Sequence, residues 1–193
     1  MFSETIKPAN LLKLAVVGLV AIAISACLGK RGSNEPAASA SPNIARPAPH
    51  RISHSDLGWV LSDGKRTEIA DYQGKVLVLD FYATWCEPCR DSIPKLIALK
   101  KQYGPSGLEI VGLNVGGPDD RVLVPEFAHT LGITYPLGFP DKALVDSFLP
   151  GDYVIPQTFV FGRDGTLVKT FAGYDDSVGV ELENAINDQL GRE

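Results

Sequence analysis

The chain has 193 residues, of which 45% are hydrophobic and 21% are charged, and this length and composition predict one globular domain with additional segments. The formal net charge is −5. No stripe of basic side chains occurs along the sequence, so we do not expect the protein to bind nucleic acid.

Residues 1–26 have the features of an export signal. Lys7 and Lys13 supply positive charge, and residues 14–24 form a short apolar run. Small or apolar residues then precede Cys27, an arrangement that resembles a bacterial lipoprotein signal and implies cleavage before Cys27 and a diacylglycerol on its sulfur. The alternative is an uncleaved membrane anchor, although the apolar run is shorter than the ~20 residues of a spanning helix. Either way, we predict a tethered domain outside the cytoplasm, where disulfides persist.

Residues 27–50 comprise the lipid-bearing cysteine and a linker rich in Gly, Ser, Ala, Asn and Pro. Such a composition cannot bury a core and predicts an extended, flexible tether. The tether would let a folded domain over residues 51–193 reach both membrane-bound and soluble partners on the periplasmic side.

The folded domain is predicted to begin with a β-hairpin. Residues 59–61 and 67–69 flank residues 62–65, which contain an Asp-Gly pair typical of tight turns. We expect Trp59 to lie in the core rather than at a ligand. A strand over residues 75–82 follows, and its continuous Val and Leu residues indicate burial on both faces.

Two cysteines stand where this strand passes into a helix. Cys86 and Cys89 are separated by Glu87 and Pro88, and apolar residues recur at helical spacing after them. A helix N-terminus favours negative charge, so the Cys86 thiolate should form more readily than that of a free cysteine. Cys89 should be more buried and can close a disulfide, and Pro88 suits a first helical turn. The pair therefore predicts thiol–disulfide exchange, with Cys86 as nucleophile and Cys89 as resolving thiol.

A static disulfide and half of a zinc site are the two structural alternatives for this pair. Zinc needs about four ligands, whereas Cys27 is the only other cysteine and the three histidines lack ligand spacing. If Cys27 is lipidated and Cys86 and Cys89 form the reactive pair, all three cysteines of the chain have a role. We therefore expect neither a metal nor an organic cofactor.

The motif from Trp85 to Cys89 resembles that of thioredoxin, together with the strand before it and the helix after it. The Glu87-Pro88 pair, the hairpin and the lipoprotein signal resemble more closely the membrane-tethered thiol–disulfide oxidoreductases of the TlpA/ResA type, over about residues 51–193. This resemblance implies an extracytoplasmic disulfide reductase that acts on exported proteins and receives electrons from a membrane thiol donor. Several such relatives act in cytochrome c maturation. We expect a monomer.

Asp80 falls within or beside the predicted buried strand, where an unpaired carboxylate is costly and where burial should raise its pKa. It matches the buried aspartate of thioredoxin, six positions before the first cysteine, and by that resemblance it relays a proton to or from Cys89. The alternative is an aspartate that faces solvent or caps a turn.

Two further positions bear on the specific role. Relatives that act in cytochrome c maturation commonly have a glutamate three residues after the second cysteine, where this chain has Ser92. This departure puts cytochrome c maturation in doubt without affecting the redox chemistry. Glu87 places negative charge near the Cys86 thiolate, which should make the disulfide relatively stable and the protein a reductant. The alternative is that Glu87 is solvated and has no effect.

The rest of the chain alternates helices and strands. Helices are predicted over residues 86–103, 121–131 and 142–148, and from a cap at Ser177 to about residue 190. Strands are predicted over residues 108–115 and 167–171, and from Pro156 to residue 161. Residues 134–137 resemble the short strand that the family has before its next helix. The residues of the last helix expected to face the core are Val180, Leu182, Ala185, Ile186 and Leu190. The order of elements predicts an α/β fold with helices on both faces of a mixed sheet: a thioredoxin fold with an N-terminal β-hairpin extension.

Pro156 leads directly into one of these strands, a place where proline is confined to the first residue or an edge. In thioredoxin-fold proteins a proline so placed is cis and lies against the cysteine pair. By that resemblance, the backbone of Ile155 pairs with an extended substrate segment by strand addition. The alternative is a trans proline at the start of a strand.

Two rival functions on the same fold stay open. A thiol peroxidase usually has threonine three residues before its nucleophile, where this chain has Ala83. Copper-delivery relatives use three residues between their cysteines and a distant histidine, whereas this chain has two intervening residues and only His129 in range.

Overall fold

The structure is a computed structural model that describes residues 54–151 and 153–192. The predicted export signal, the lipidation site Cys27 and the linker lie outside the described residues. Across the residues described, no helix is long and apolar enough to cross a bilayer.

Seven strands form one mixed sheet in the order β2-β1-β5-β4-β3-β6-β7. The strands are β1 (Gly58–Leu61), β2 (Arg66–Glu68), β3 (Val76–Tyr82), β4 (Leu108–Asn114), β5 (Leu137–Pro140), β6 (Gln157–Phe161) and β7 (Leu167–Ala172). The helices are α1 (Glu87–Tyr103), α2 (Pro118–Arg121), α3 (Val124–Leu131), α4 (Lys142–Phe148) and α5 (Asp176–Leu190). The strand β4 pairs in parallel with β3 and β5, and the other pairs are antiparallel. The predicted thioredoxin fold with an N-terminal hairpin is confirmed.

The central strand β3 is buried along its whole length because hydrophobic layers cover both faces of the sheet. Its even-numbered residues, including Val78, pack in a cluster with α1, α3 and α5. Its odd-numbered residues, including Phe81, pack with Trp59 of the hairpin and with Phe148 of α4. Trp59 is fully buried, which confirms its predicted place in the core. The alternation of side chains along a strand therefore assigns each β3 residue to one layer.

The helix predicted over residues 121–131 is wrong in its bounds. The structure has two helices, α2 and α3, separated by Val122 and Leu123. Pro125 explains the break, because proline has no N–H to donate to the preceding turn and fits best in the first turn of a helix, which here begins at Val124.

One predicted strand begins later than expected, and a proline precedes the observed start of two strands. The strand predicted over residues 134–137 is β5, which begins after Pro136. The strand into which Pro156 is predicted to lead is β6, which begins at Gln157 as expected. Proline cannot donate a hydrogen bond to a neighbouring strand, so regular pairing begins at the next residue.

The last helix is capped by Asp175 rather than by the predicted Ser177. The Asp175 carboxylate accepts hydrogen bonds from the backbone N–H of Val178 at 2.9 Å and from the Ser177 hydroxyl at 2.6 Å. Val180, predicted to face the core, is 58% exposed. The buried face instead follows helical spacing from Gly179, and Val180 lies off that face.

Candidate active site

The two cysteines of the motif form a disulfide at the start of α1, with their Cα atoms 5.3 Å apart. Cys86 is the N-cap of the helix, and its Sγ accepts a hydrogen bond from the backbone N–H of Cys89 at 3.2 Å. Cys89 is fully buried and Cys86 is nearly so. The N–H donor and the helix N-terminus both favour negative charge on the Cys86 sulfur. Cys86 is therefore the sulfur best suited to be a thiolate.

The local sequence explains this geometry. Cys86 has an extended backbone (φ −82°, ψ 109°), as an N-cap residue requires. Glu87 and Pro88 then occupy the first turn of α1, where the missing N–H of proline leaves no helical hydrogen bond unmade. Both side chains are exposed, as is that of Trp85, which is 67% accessible immediately before the disulfide.

The loop before β6 lies against this disulfide. The Ile155–Pro156 peptide bond is cis, and the carbonyl oxygen of Ile155 lies 3.6 Å from the Cys86 Sγ. The carbonyl of Pro156 accepts a hydrogen bond from Gly173 at 2.8 Å, which ties this end of β6 to the residue after β7. Among the backbone hydrogen bonds of the described residues, none involves the N–H of Ile155.

Asp80 is a fully buried acid on the central strand. Thr158, which faces it across the β3–β6 pair, donates its hydroxyl to Asp80 Oδ1 at 2.8 Å. The second oxygen, Oδ2, is buried and has no hydrogen-bond partner among the described residues. Burial raises the pKa of Asp80 to about 7, although the bond from Thr158 acts in the opposite direction. Asp80 can thus take up or release a proton near neutral pH.

A second buried acid, Asp120 of α2, contacts the loop that leads to the disulfide. Its carboxylate accepts hydrogen bonds from the backbone N–H of Thr84 at 3.0 Å, from the Thr84 hydroxyl, and from the Asn114 side-chain amide at 2.6 Å. The guanidinium of Arg90 donates to the Thr84 carbonyl at 2.7 Å. These four residues, Thr84, Arg90, Asn114 and Asp120, form what we call the Asp120 network.

A sequence model of the AhpC/TSA family matches residues 49–170, more than half of the chain. The chain belongs to the AhpC/TSA family. Among the residues that the structure describes, no three His, Cys, Asp or Glu side chains lie close enough together to hold a metal ion.

Curated relatives of this chain have names that describe thiol–disulfide chemistry. Thiol-disulfide oxidoreductase ResA of Bacillus subtilis (strain 168) is 34% identical over 118 residues, which cover 60% of this chain and 64% of that protein. ResA of Geobacillus thermodenitrificans is 33% identical over 118 residues, which cover 60% of this chain and 66% of that protein. The chain thus matches slightly less than two thirds of the length of each. The ResA-type resemblance predicted from the cysteine motif is confirmed.

This chain is also similar in three dimensions to a solved structure. The thiol:disulfide interchange protein of the thioredoxin family from Chlorobium tepidum TLS is 28% identical, with a TM-score of 0.59. The match covers 69% of this AhpC/TSA-family chain and 92% of that one.

The fold brings most of the predicted site residues of this AhpC/TSA-family protein together. Trp85, Glu87 and Pro88 adjoin the disulfide, and Ile155 with the cis Pro156 lies against Cys86. Asp80 lies on the β3 face that packs against α1, with Thr158 as its partner. Cys27 lies outside the described residues.

Neither Thr158 nor the Asp120 network is predicted from the sequence. One signal was present: β3 and β4 are parallel neighbours, so the segments after their carboxyl ends meet at one edge of the sheet. Thr84 follows β3, and Asp120 follows β4. The sheet topology alone therefore places these two residues near each other, but no sequence motif identifies either of them.

Thr158→Val should raise the pKa of Asp80 above its value of about 7, because the hydroxyl that stabilises the ionised carboxylate is lost. Thr158→Ser keeps a hydroxyl at the same position and is the matched control. Carboxyl ¹³C chemical shifts of labelled aspartate, followed against pH, would measure both. A lower pKa in the valine variant would contradict the assigned hydrogen bond.

Proposed function

We propose that this protein is an extracytoplasmic thiol–disulfide oxidoreductase that reduces disulfides in exported proteins through Cys86 and Cys89. The observation that carries the proposal is the Cys86–Cys89 disulfide, in which the Cys86 sulfur accepts an N–H bond and lies beside the Ile155 carbonyl. The names of the relatives, thiol-disulfide oxidoreductase and thiol:disulfide interchange protein, support the same chemistry.

The reaction begins with the reduced protein. The Cys86 thiolate attacks one sulfur of a substrate disulfide, forming a mixed disulfide and releasing the other substrate sulfur as a thiolate. Cys89, as a thiolate, then attacks the Cys86 sulfur. This step closes the Cys86–Cys89 disulfide and releases the second substrate thiol. A membrane thiol donor returns two electrons to the protein by the same exchange.

Asp80 is the proton acceptor in the second step of this proposal. Cys89 must lose its thiol proton before it can attack, and it is fully buried. A buried carboxylate whose pKa lies near 7 can accept that proton at neutral pH and later return it. The substrate segment binds in extended form to the backbone of Ile155, which the cis Pro156 presents beside the sulfur.

Disulfide-containing exported proteins are the proposed substrate class. The position three residues after Cys89 holds Ser92, whose side chain is buried and donates to the Cys89 carbonyl at 2.9 Å. This neutral residue stands where relatives that act in cytochrome c maturation commonly have a glutamate. We therefore propose a broader reductase rather than one dedicated to apocytochromes.

The reduction potential of the Cys86–Cys89 pair tests the direction of electron flow. Equilibration with glutathione or thioredoxin buffers should give a value near or below that of thioredoxin, ~−270 mV. A value close to ~−120 mV, typical of strong oxidants, would contradict a reductase. Consumption of hydrogen peroxide by the reduced protein would favour a thiol peroxidase instead.

Glu87→Gln should make the pair less reducing, by roughly 10–30 mV, because removal of the negative charge favours the Cys86 thiolate of the reduced form. Glu87 is exposed in the first turn of α1, so solvent screening keeps the effect small. Asp91→Asn removes an exposed charge later in the same helix and is the control. An equal shift in both variants would mean that net charge, rather than the position of Glu87, sets the potential.

We also propose that the protein is a monomer held at the membrane by a lipid on Cys27. The lipid anchor is supported by the sequence, which has a charged start, a short apolar run and small residues before Cys27. Cys27→Ser in the full-length chain should prevent lipidation, so that the protein no longer carries a metabolically incorporated fatty acid. Retention of the label in the serine variant would rule out Cys27 as the lipidation site.

A further inference from the structure

We propose that Asp120 is a positioning residue of the active site. Through its bonds to Thr84, it holds the Ala83–Cys86 turn, and with it Trp85 and the reactive sulfur, in the arrangement used for thiol–disulfide exchange. The inference rests on the proposed function and adds a residue to its machinery that does not itself touch the reacting atoms.

The contacts converge on Thr84. Asp120 accepts from both the backbone N–H and the hydroxyl of this residue, and Arg90 donates to its carbonyl. Every polar group of Thr84 thus has a partner, and the partners come from α1 and α2. Arg90 is itself held, because its guanidinium lies 4.9 Å from the centre of the Phe127 ring of α3. Thr84 therefore cannot move without breaking bonds to two helices.

The surroundings of Asp120 stabilise its carboxylate in the ionised form. Asp120 is only 4% exposed, and three donor groups from Thr84 and Asn114 meet its two oxygens. Burial works against ionisation of Asp120, but the bonds from Thr84 and Asn114 together outweigh it and lower its pKa. Gly116 makes room, because a Cβ added there would lie 2.2 Å from Asp120 Oδ2. A charged acceptor is thus enclosed beside the active-site loop.

The turn links this network to the chemistry. The Cys86 N–H donates to the Ala83 carbonyl at 3.2 Å, which closes a turn that contains Thr84 and Trp85. Trp85 is 67% exposed although it is large and apolar. An exposed side chain has few contacts of its own to fix it, so the backbone of the turn decides where it points. Loss of the Asp120 bonds should free the turn and loosen the placement of Trp85 and of the Cys86 sulfur beside Ile155.

The test uses the full-length chain with Asp120→Asn, Thr84→Val and Thr84→Ser. The asparagine replaces one acceptor with a donor, the valine removes only the hydroxyl, and the serine restores it. Asp119→Asn, an exposed neighbour on α2 that carries the same charge change, is the control. Only variants that remain folded at the assay temperature, by thermal unfolding, are compared.

The first readout is the rate at which each reduced variant reduces insulin disulfides. Asp120→Asn and Thr84→Val should each be slower by about tenfold, since each loses a hydrogen bond to a charged group. A further variant that combines Asp120→Asn with Thr84→Val should be no slower than the slower of the two single variants, because both changes disrupt the same contact. Thr84→Ser and Asp119→Asn should stay within about twofold of the parent protein. Wild-type rates in both Asp120→Asn and Thr84→Val would overturn the proposal.

The second readout is ¹⁹F NMR of protein labelled with fluorotryptophan. The chain has two tryptophans, and the buried Trp59 of the hairpin is an internal reference for the exposed Trp85. In Asp120→Asn and Thr84→Val the Trp85 resonance should shift or broaden, while that of Trp59 stays unchanged. An unchanged Trp85 resonance would overturn the proposal whatever the rates. If the parent protein failed to reduce insulin, the proposed function would be at fault, and the Trp85 resonance would decide the role of Asp120 alone.

Discussion

Cys86→Ser should abolish disulfide reduction, with a loss of about a thousandfold or more, because a serine hydroxyl is not ionised at neutral pH and cannot form a mixed disulfide. Cys89→Ser should behave differently. It keeps the nucleophile and lacks the resolving thiol, so it should attack a substrate once and then remain covalently joined to it. The two variants therefore separate the two steps of the exchange.

The assignment of these roles comes from the surroundings of each sulfur. The Cys86 Sγ accepts the Cys89 N–H and lies 3.6 Å from the carbonyl oxygen of Ile155, the proposed substrate-binding backbone, whereas Cys89 is fully buried. Mass spectrometry of each variant, after incubation with a peptide that contains a disulfide, would measure the adduct. The fully reduced parent protein is the matched control, since it also lacks the Cys86–Cys89 bond. An adduct on Cys86→Ser and none on Cys89→Ser would reverse the roles.

The residues that sequence analysis placed correctly are those whose local pattern decides their position. The continuous apolar run of β3 required burial on both faces, and Asp80 within it was therefore a buried acid. The apolar spacing after Cys89 required a helix, and a helix start fixes which cysteine meets the free N–H groups. In each case the residues adjacent in sequence determine the burial or the backbone position of the residue in question.

The partners of these residues could not be predicted in the same way. Thr158 is 78 positions from the Asp80 that it contacts, and Thr84 is 36 positions from Asp120. Neither contact leaves a periodic pattern, because each depends on which strands lie side by side and in which register. The start of α5 shows the same limit at short range, since Asp175 and Ser177 are both suitable cap residues and the sequence alone does not say which one caps the helix.

Asp80→Asn should make the protein more stable at alkaline pH and slower in exchange. Burial raises the pKa of Asp80 from its ordinary value of 3.8 to about 7 in the folded chain. Between these values the folded state binds more protons than the unfolded state, so stability falls as the pH rises. The free-energy cost of ionising the buried Asp80 carboxylate is small near pH 4 and reaches its full value above pH 7. An uncharged asparagine does not incur it.

The expected gain for Asp80→Asn is about 2–4 kcal/mol in the free energy of unfolding at pH 8, and close to nothing at pH 4. Thr158 can still donate its hydroxyl to the amide oxygen of the asparagine, so the packing around β3 and β6 is kept. Urea unfolding of the oxidised protein at the two pH values would measure the gain. Asp91→Asn, an exposed acid of α1, is the control and should show no such difference.

The same variant tests the proposed proton transfer. Asparagine cannot accept the proton of Cys89, so resolution of the mixed disulfide should slow by roughly tenfold to a hundredfold near neutral pH. Single-turnover kinetics with a peptide disulfide would separate this step from the initial attack by Cys86, which should be little changed. A variant that is more stable at pH 8 and resolves at the wild-type rate would show that Asp80 is buried without taking part in the exchange. A slower, more stable variant would show that the chain keeps a destabilising acid because the reaction uses it.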